Sequence, residues 1–137
     1  MEPQPSVLIV DDMTDARIML RLMLSRLGGY QTLEATNGQE AIQQAAAHRP
    51  DVIVLDYMMP DLDGAAVCSQ LRQMPSTKDV LILVLTARTD SDTRQKVLQA
   101  GANQFMNKPV QPRELLQSVQ ALLATRGNMQ PAVNSGA

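Results

Sequence analysis

Polar residues able to take part in chemistry follow short apolar runs at four places in the chain. Asp11 and Asp12 follow the first run, and Asp56 ends the second. Thr86 ends the third run, and Lys108 comes just after a weaker fourth one. If the runs are parallel strands, their carboxyl ends share one sheet edge, where ligands bind in open α/β sheets. The pattern therefore predicts the capture of a phosphoryl group with the help of a hard cation.

Each of these residues has a definite part in such a site. Neighbouring carboxylates repel one another, and Mg²⁺, which prefers oxygen ligands, would remove that conflict. An aspartate can act as the nucleophile toward phosphorus, while Lys108 supplies a fixed positive charge and Thr86 a small donor. Each also has an ordinary interpretation: Asp11 or Asp12 as a helix cap, Asp56 and Lys108 as surface residues, Thr86 as a strand residue. Their joint placement favours the site.

Strand-like and helix-like segments alternate five times along the chain. The predicted strands span 6–11, 30–34, 51–56, 80–86 and 103–106. The predicted helices span 13–27, 38–49, 65–74, 90–100 and 112–124. The alternation predicts a flavodoxin-like (βα)5 α/β fold: five parallel strands in the order 2-1-3-4-5, with helices on both faces. In that order the first and third strands are neighbours, so Asp11, Asp12 and Asp56 should meet.

Local signals refine the helices. In the first helix, Leu27 falls on the apolar face that is expected to turn inward. Asn37 and Glu40 resemble a capping box, and Thr89 or Asp90 can cap the helix that follows the fourth strand. Gly101 suits the position just after that helix.

Composition limits the classes of protein that remain. The chain has 137 residues, 45% hydrophobic but only 2% aromatic, with a net charge of −2. One domain over 6–124 is expected, with an extension at 1–5 and a flexible tail or linker at 125–137. The absence of a basic stripe argues against direct nucleic-acid binding, and no apolar run could insert into a membrane. The single Cys68 fits a reducing compartment, so the cytoplasm is the expected location.

Four segments resemble those of response-regulator receiver domains: VLIVDD at 7–12, DVIVLDYMMPDLDG at 51–64, LTA at 85–87 and KP at 108–109. The resemblance covers residues 6 to about 124. It implies phosphotransfer from the phosphohistidine of a histidine kinase or phosphotransfer protein to Asp56. It further implies that Asp12, Asp56 and the backbone carbonyl of Met58 ligate Mg²⁺, that Asp11 acts mainly through water, and that Lys108 pairs with the phosphoryl oxygens.

The resemblance also implies a switch. Thr86 would move toward the phosphoryl group and Phe105 would swing inward behind it, changing the face formed by 90–100, 103–106 and 112–124 for a downstream effector or output domain. Simple core packing is the alternative role for Phe105. Met58 and Arg88 flank the position of the hydrolytic water and orient it poorly, which predicts slow self-dephosphorylation. The polar residues at 103–104 and 117–120 weaken the case for a family-type dimer, so a monomer or weak dimer is expected.

Three other classes of protein compete with this interpretation. A haloacid-dehalogenase-type enzyme needs a general acid at the position of Met58. A flavin- or nucleotide-binding module needs a phosphate loop after the first strand, where Asp11 and Asp12 would repel phosphate. A receiver-like scaffold that binds partners without phosphorylation remains the alternative. The expected protein is not an enzyme acting on other molecules, because it catalyses only its own phosphorylation and slow dephosphorylation.

Overall fold

A computed structural model of the chain describes residues 4–88 and 90–129, with side chains through residue 126. The strands are β1 (Ser6–Val10), β2 (Gln31–Ala35), β3 (Val52–Asp56), β4 (Leu81–Thr86) and β5 (Gln104–Asn107). The helices are α1 (Thr14–Arg21, continued by a π-helical segment, Leu22–Leu27), α2 (Gly38–His48), α3 (Gly64–Gln73), α4 (Ser91–Gln99) and α5 (Pro112–Met129).

The five strands form one parallel sheet in the order β2-β1-β3-β4-β5, so the predicted fold class is confirmed. β3 and β4 are buried along their whole length, as their unbroken apolar sequences predict. β2 is the more polar strand and lies at an edge. The switch in strand order falls between β1 and β3, which places a crevice at their carboxyl ends.

Two apolar cores cover the two faces of the sheet. One face packs against α2, α3 and α4, and its core includes Leu8, Ile53 and the buried Cys68. The other face packs against α1 and α5, with Ile9 and Val54 at its centre. Burial raises the pKa of the Cys68 thiol to about 12, so this side chain packs as a small apolar group. Among the described residues, no helix combines the length and apolarity that a bilayer span requires.

The end of the first helix differs from the prediction. Residues Leu22–Leu27 are π-helical, and the N–H of Gly28 donates to the carbonyl of Met23, five residues earlier. Because the π-helical turn is wider, the side chains after it do not lie on the face expected for 3.6 residues per turn. Leu27, predicted to face inward, is therefore 65% exposed, while Leu24 remains fully buried.

The last helix is longer than predicted. α5 continues to Met129, five residues beyond the expected end at 124, so 125–129 are helical rather than a flexible tail. A long-range contact holds this turn, because Arg126 pairs with Asp51 at 2.6 Å. Residues 1–3 and 130–137 lie outside the described part of the chain. The division into an extension, a domain and a tail otherwise stays a prediction.

The predicted caps are confirmed, except that the carboxylate of Glu40 accepts from the N–H of Thr36 rather than from that of Asn37. Asn37 accepts a hydrogen bond from the N–H of Glu40, and Asp90 accepts one from that of Thr93. The alternative cap, Thr89, lies outside the described residues. Gly101 has a φ of +115°, a conformation that glycine adopts without strain.

Candidate functional site

The residues that could take part in chemistry meet at one edge of the sheet. Asp11 directly follows β1, Asp56 ends β3, and Thr86 ends β4. Lys108 comes one residue after β5, which runs parallel to β4. One carboxylate oxygen each from Asp11, Asp12 and Asp56 lies within 4.8 Å of the others. The parallel order of the strands thus brings together three acids that are up to 45 positions apart in the chain.

Lys108 lies inside this acidic cluster. Its Nζ is 2.8 Å from Oδ1 of Asp56 and 3.7 Å from Oδ2 of Asp11. The side chain of Asp56 is only 8% exposed, and burial is the main cause of a raised pKa for its carboxyl group. The hydrogen bond and the charge of Lys108 lower that pKa, while the charges of Asp11 and Asp12 raise it. Asp56 is thus a carboxylate held in an unfavourable environment, with a single neighbouring cation in partial compensation.

Asp11 has one satisfied and one unsatisfied oxygen. Oδ1 accepts a hydrogen bond from the N–H of Met13 at 2.9 Å. Oδ2 is buried and, among the described groups, has no hydrogen-bond partner. Met13 is the N-cap residue of α1 and makes no side-chain capping bond, so neither Asp11 nor Asp12 caps that helix. Nζ of Lys108, 3.7 Å away, is a counter-charge but not a hydrogen-bond donor to Oδ2, and a buried carboxylate oxygen is costly to leave without a hydrogen bond or a cation in direct contact.

Thr86 joins the site to the loop after β4. Its side chain is buried, and its hydroxyl oxygen accepts a hydrogen bond from the N–H of Arg88 at 2.9 Å. The carbonyl of Arg88 in turn accepts a bond from Nδ2 of Asn107, and the carbonyl of Thr86 accepts one from the N–H of Lys108. The β4–α4 loop and the end of β5 are therefore fastened to the same residue that lines the site.

Phe105 lies on β5, opposite Val84 in the β4–β5 register. Its ring is half-buried against the core that α4 covers. The guanidinium carbon of Arg94, on α4, lies 4.8 Å from the ring centre, within the range of a cation–π contact. Both roles considered for Phe105, core packing and switching, are compatible with this position, and the switch stays a prediction. Met58, two residues beyond β3, has a side chain exposed by 60%.

Several contacts around the site had no signal in the sequence pattern. Arg17 donates to the backbone carbonyl of Asp11 and pairs with Glu34 on β2. Asp61 accepts from two N–H groups at the start of α2, and these bonds lower the pKa of its exposed carboxyl. Asp63 caps α3 and lies 3.5 Å from Nζ of Lys96. All of these pairings except the cap join different elements, so local periodicity could not reveal them.

The donor set fits a hard divalent cation. Three carboxylates offer oxygens at close range, and one buried oxygen lacks a partner. Mg²⁺ prefers such ligands and needs only one or two of them directly. An acidic cluster able to bind Mg²⁺, with a lysine ammonium inside it, defines a site for a phosphorylated or anionic group at the switch point of a flavodoxin-like sheet.

Comparison with known proteins agrees with a flavodoxin-like protein that has a site for a phosphorylated or anionic group. The sequence model of the response regulator receiver domain matches residues 7–120. The transcriptional regulatory protein PrrA of Mycobacterium tuberculosis is 44% identical over 124 residues, covering 90% of this chain and 52% of PrrA. The alkaline phosphatase synthesis transcriptional regulatory protein PhoP of Bacillus subtilis is 41% identical over 117 residues, covering 85% of this chain and 48% of PhoP. The chain belongs to the response regulator receiver domains, the signalling domains of two-component systems.

Solved structures show the same relationship. A putative response regulator from Chloroflexus aurantiacus has a TM-score of 0.83 and 40% identity, covering 90% of this chain and 99% of that one. The receiver domain of sensor histidine kinase PA1611 from Pseudomonas aeruginosa has a TM-score of 0.82 and 30% identity, covering 88% and 98%. That second structure has a magnesium ion coordinated in its active-site cleft. The present chain spans about half the length of the curated relatives it matches.

Proposed function

We propose that Asp56 accepts a phosphoryl group from the phosphohistidine of a histidine kinase or phosphotransfer protein. The observation that carries this proposal is the position of Asp56, buried at the end of β3 with Nζ of Lys108 at 2.8 Å. A carboxylate oxygen would attack phosphorus while the phosphorus–nitrogen bond breaks, and the histidine would keep the bonding electrons. Lys108 would then neutralise charge on the phosphoryl oxygens.

The acidic cluster supports a magnesium requirement. Asp12, Asp56 and the backbone carbonyl of Met58 would hold the ion, and Asp11 would act mainly through water, as the family resemblance implies. When bound, Mg²⁺ neutralises phosphate oxygens and so favours in-line transfer. The residues of the chain supply the rest: Asp11 brings a second buried carboxylate, and Lys108 lowers the pKa of Asp56, which burial raises.

The proposed output is a change in the face formed by α4, β5 and α5. Thr86 would turn its hydroxyl toward the phosphoryl group, and Phe105 would move behind it. The hydrogen bond from the N–H of Arg88 to Thr86 supports the idea, because movement of this hydroxyl would pull the β4–α4 loop. A downstream effector or output domain would bind that face. The protein would act in the cytoplasm as a monomer or weak dimer.

This activity would be self-directed rather than enzymatic in the usual sense. The chain would catalyse its own phosphorylation and a slow loss of the phosphoryl group. The exposed thioether of Met58 and the cation of Arg88 are poor at orienting a hydrolytic water, which supports a long-lived acyl phosphate.

Intact-mass spectrometry after incubation with phosphoramidate and MgCl2 tests the proposal directly. We expect one added phosphoryl group in the wild-type protein and none in Asp56→Asn. Asp51→Asn, the same chemical change at the opposite edge of the sheet, should be labelled like the wild type. An unlabelled wild type that is shown to be folded, or a labelled Asp56→Asn, contradicts the assignment of the acceptor.

A further inference from the structure

Arg17 reinforces a connection between the β1–α1 loop and β2, which the sheet itself makes only through the N–H of Asp11 and the carbonyl of Ala35. It lies on α1, and its side chain is only 13% exposed. Nη1 donates to the backbone carbonyl of Asp11 at 2.9 Å, and Nε donates to Oε1 of Glu34 at 3.2 Å. Because the two donors are different nitrogens of one planar group, a single side chain ties the β1–α1 loop to the edge strand β2.

The loop held by Arg17 carries two of the three acids of the cluster. Every polar group of Asp11 except Oδ2 has a hydrogen-bond partner: its N–H donates to Ala35, its carbonyl accepts from Arg17, and its Oδ1 accepts from Met13. These contacts fix the direction of the one remaining oxygen, Oδ2, which lies 3.7 Å from Nζ of Lys108. Arg17 therefore helps to orient a carboxylate that it does not itself touch.

We propose that Arg17 is a positioning residue for the divalent cation site, acting through the backbone of Asp11. This inference rests on the proposed binding of Mg²⁺ by the acidic cluster. Groups that orient metal ligands from outside typically change metal affinity by about tenfold or more when they are removed. The nearby carboxylate of Glu34 offsets the positive charge of Arg17. The two contacts of Arg17, here called the clamp, therefore fix the β1–α1 loop without strongly repelling the cation.

Arg21 provides a matched control. Its Nη1 is 3.2 Å from Oε2 of Glu34, the same distance that joins Arg17 to this carboxylate. No hydrogen bond among the described residues joins Arg21 to the β1–α1 loop. Replacing Arg21 by methionine therefore removes an ion pair with Glu34 of the same length, from a side chain that is 43% rather than 13% exposed, and leaves the contact with Asp11 in place.

The test is a titration with MgCl2 alone, followed by the amide NMR shifts of the β1–α1 loop and of Asp56. We expect Arg17→Met to bind Mg²⁺ about tenfold more weakly than the wild type, and Arg21→Met to bind within about twofold of it. Arg17→Lys keeps the charge but has one nitrogen for two contacts, so its affinity should fall between those of Arg17→Met and the wild type.

Several outcomes would overturn the inference. Equal affinity in the wild type and Arg17→Met would show that the clamp does not matter for the cation. Equal weakening in Arg17→Met and Arg21→Met would show a general effect of the ion pairs with Glu34. If Arg17→Met fails to fold, wild-type affinity in Arg17→Lys decides against the proposal. A wild-type protein whose amides do not respond to MgCl2 would instead contradict the proposed cation site itself.

Discussion

Removing the charge of Asp56 should stabilise this protein when no divalent cation is bound. The carboxylate is buried beside two other acids, and burial is the main reason that its pKa is raised. Asparagine has nearly the same shape and keeps an oxygen that can accept the hydrogen bond from Lys108. Asp56→Asn therefore removes an unfavourable charge at little cost in packing.

The opposing electrostatic contributions are of similar size. With an effective dielectric constant of about 20, two carboxylate oxygens at the outer limit of 4.8 Å repel by about 3.5 kcal/mol. Attraction between Lys108 and Asp56 at 2.8 Å amounts to about 6 kcal/mol on the same scale. Lys108 lowers the pKa of Asp56 more than either Asp11 or Asp12 raises it, and the exposure of Asp12 screens its share of the repulsion. Burial is the largest contribution and leaves the pKa of Asp56 raised overall, so the net gain expected from the substitution is about 1–2 kcal/mol.

The pH dependence follows from the raised pKa. In the acidic range the folded protein holds a proton on Asp56 more tightly than the unfolded chain does. The wild type therefore gains stability relative to Asp56→Asn as the pH falls from neutral through the raised pKa. The difference in the free energy of unfolding between the two proteins should have its full size at pH 7. It should disappear near the ordinary pKa of aspartate, at about pH 4.

Urea or thermal unfolding in the presence of EDTA measures the effect. We expect the melting temperature of Asp56→Asn to lie about 3–8 °C above that of the wild type at pH 7. Added MgCl2 should narrow the difference, because it stabilises the acidic cluster of the wild type more strongly. Asp51→Asn should behave oppositely, since Asp51 accepts from the N–H of Ser6 and pairs with Arg126. Equal or lower stability of Asp56→Asn at pH 7 would refute the reasoning.

Three further predictions concern single contacts. Asp61→Asn should lower stability at pH 7 and have less effect at pH 3 in urea titrations, because two backbone hydrogen bonds lower the pKa of Asp61 and their stabilising contribution is lost as the pH falls. Met58→Asn should shorten the lifetime of phosphorylated Asp56, measured by intact mass over time, because an amide can orient water. Arg94→Met should destabilise the protein by about 0.5–1 kcal/mol in urea unfolding and shift the NMR signals of the Phe105 ring, which the guanidinium covers.

Matched substitutions separate these effects from general disturbance. Asp79→Asn and Met19→Asn change exposed residues of the same types, and Arg113→Met removes an exposed arginine from α5. Asp79→Asn is the control for Asp61→Asn and should leave the pH dependence of stability as in the wild type. Met19→Asn is the control for Met58→Asn and should leave the phosphoryl lifetime unchanged, and Arg113→Met, the control for Arg94→Met, should leave the Phe105 ring signals unchanged. If a control changed the measured property as much as the variant with which it is paired, the contact proposed for that variant would not be the cause of the change.

The sheet and the convergence of the site could be predicted because their signals are local. Each strand is a short apolar run, and the polar residue at its end marks the edge where ligands bind. Parallel pairing then brings Asp11 and Asp56 together whatever the details of the helices between them. The polar sequence of β2 likewise predicts a position at an edge of the sheet, and the structure confirms it.

Features that depend on distant contacts could not be predicted in this way. The clamp between Arg17 and Glu34 joins residues on different elements, and neither residue breaks a helix or strand pattern. Arg126 lies in a turn whose sequence has no apolar periodicity, so the sequence predicts that α5 ends at 124. In the structure Arg126 pairs with Asp51, and the helix continues for five more residues. The exposure of Leu27 comes from a π-helical turn, which a 3.6-residue period does not represent.

The buried thiol of Cys68 makes the protein convenient for spectroscopic labelling. Maleimides and related reagents attack the thiolate, and burial raises the pKa of the Cys68 thiol to about 12, so very little of it is ionised at pH 7. The side chain is also fully buried, so reagents cannot reach it in the folded state. A cysteine introduced at exposed Leu98 on α4 could therefore carry a fluorophore or spin label without a cysteine-free background. Movement of α4 could then be followed in a protein whose core is unaltered.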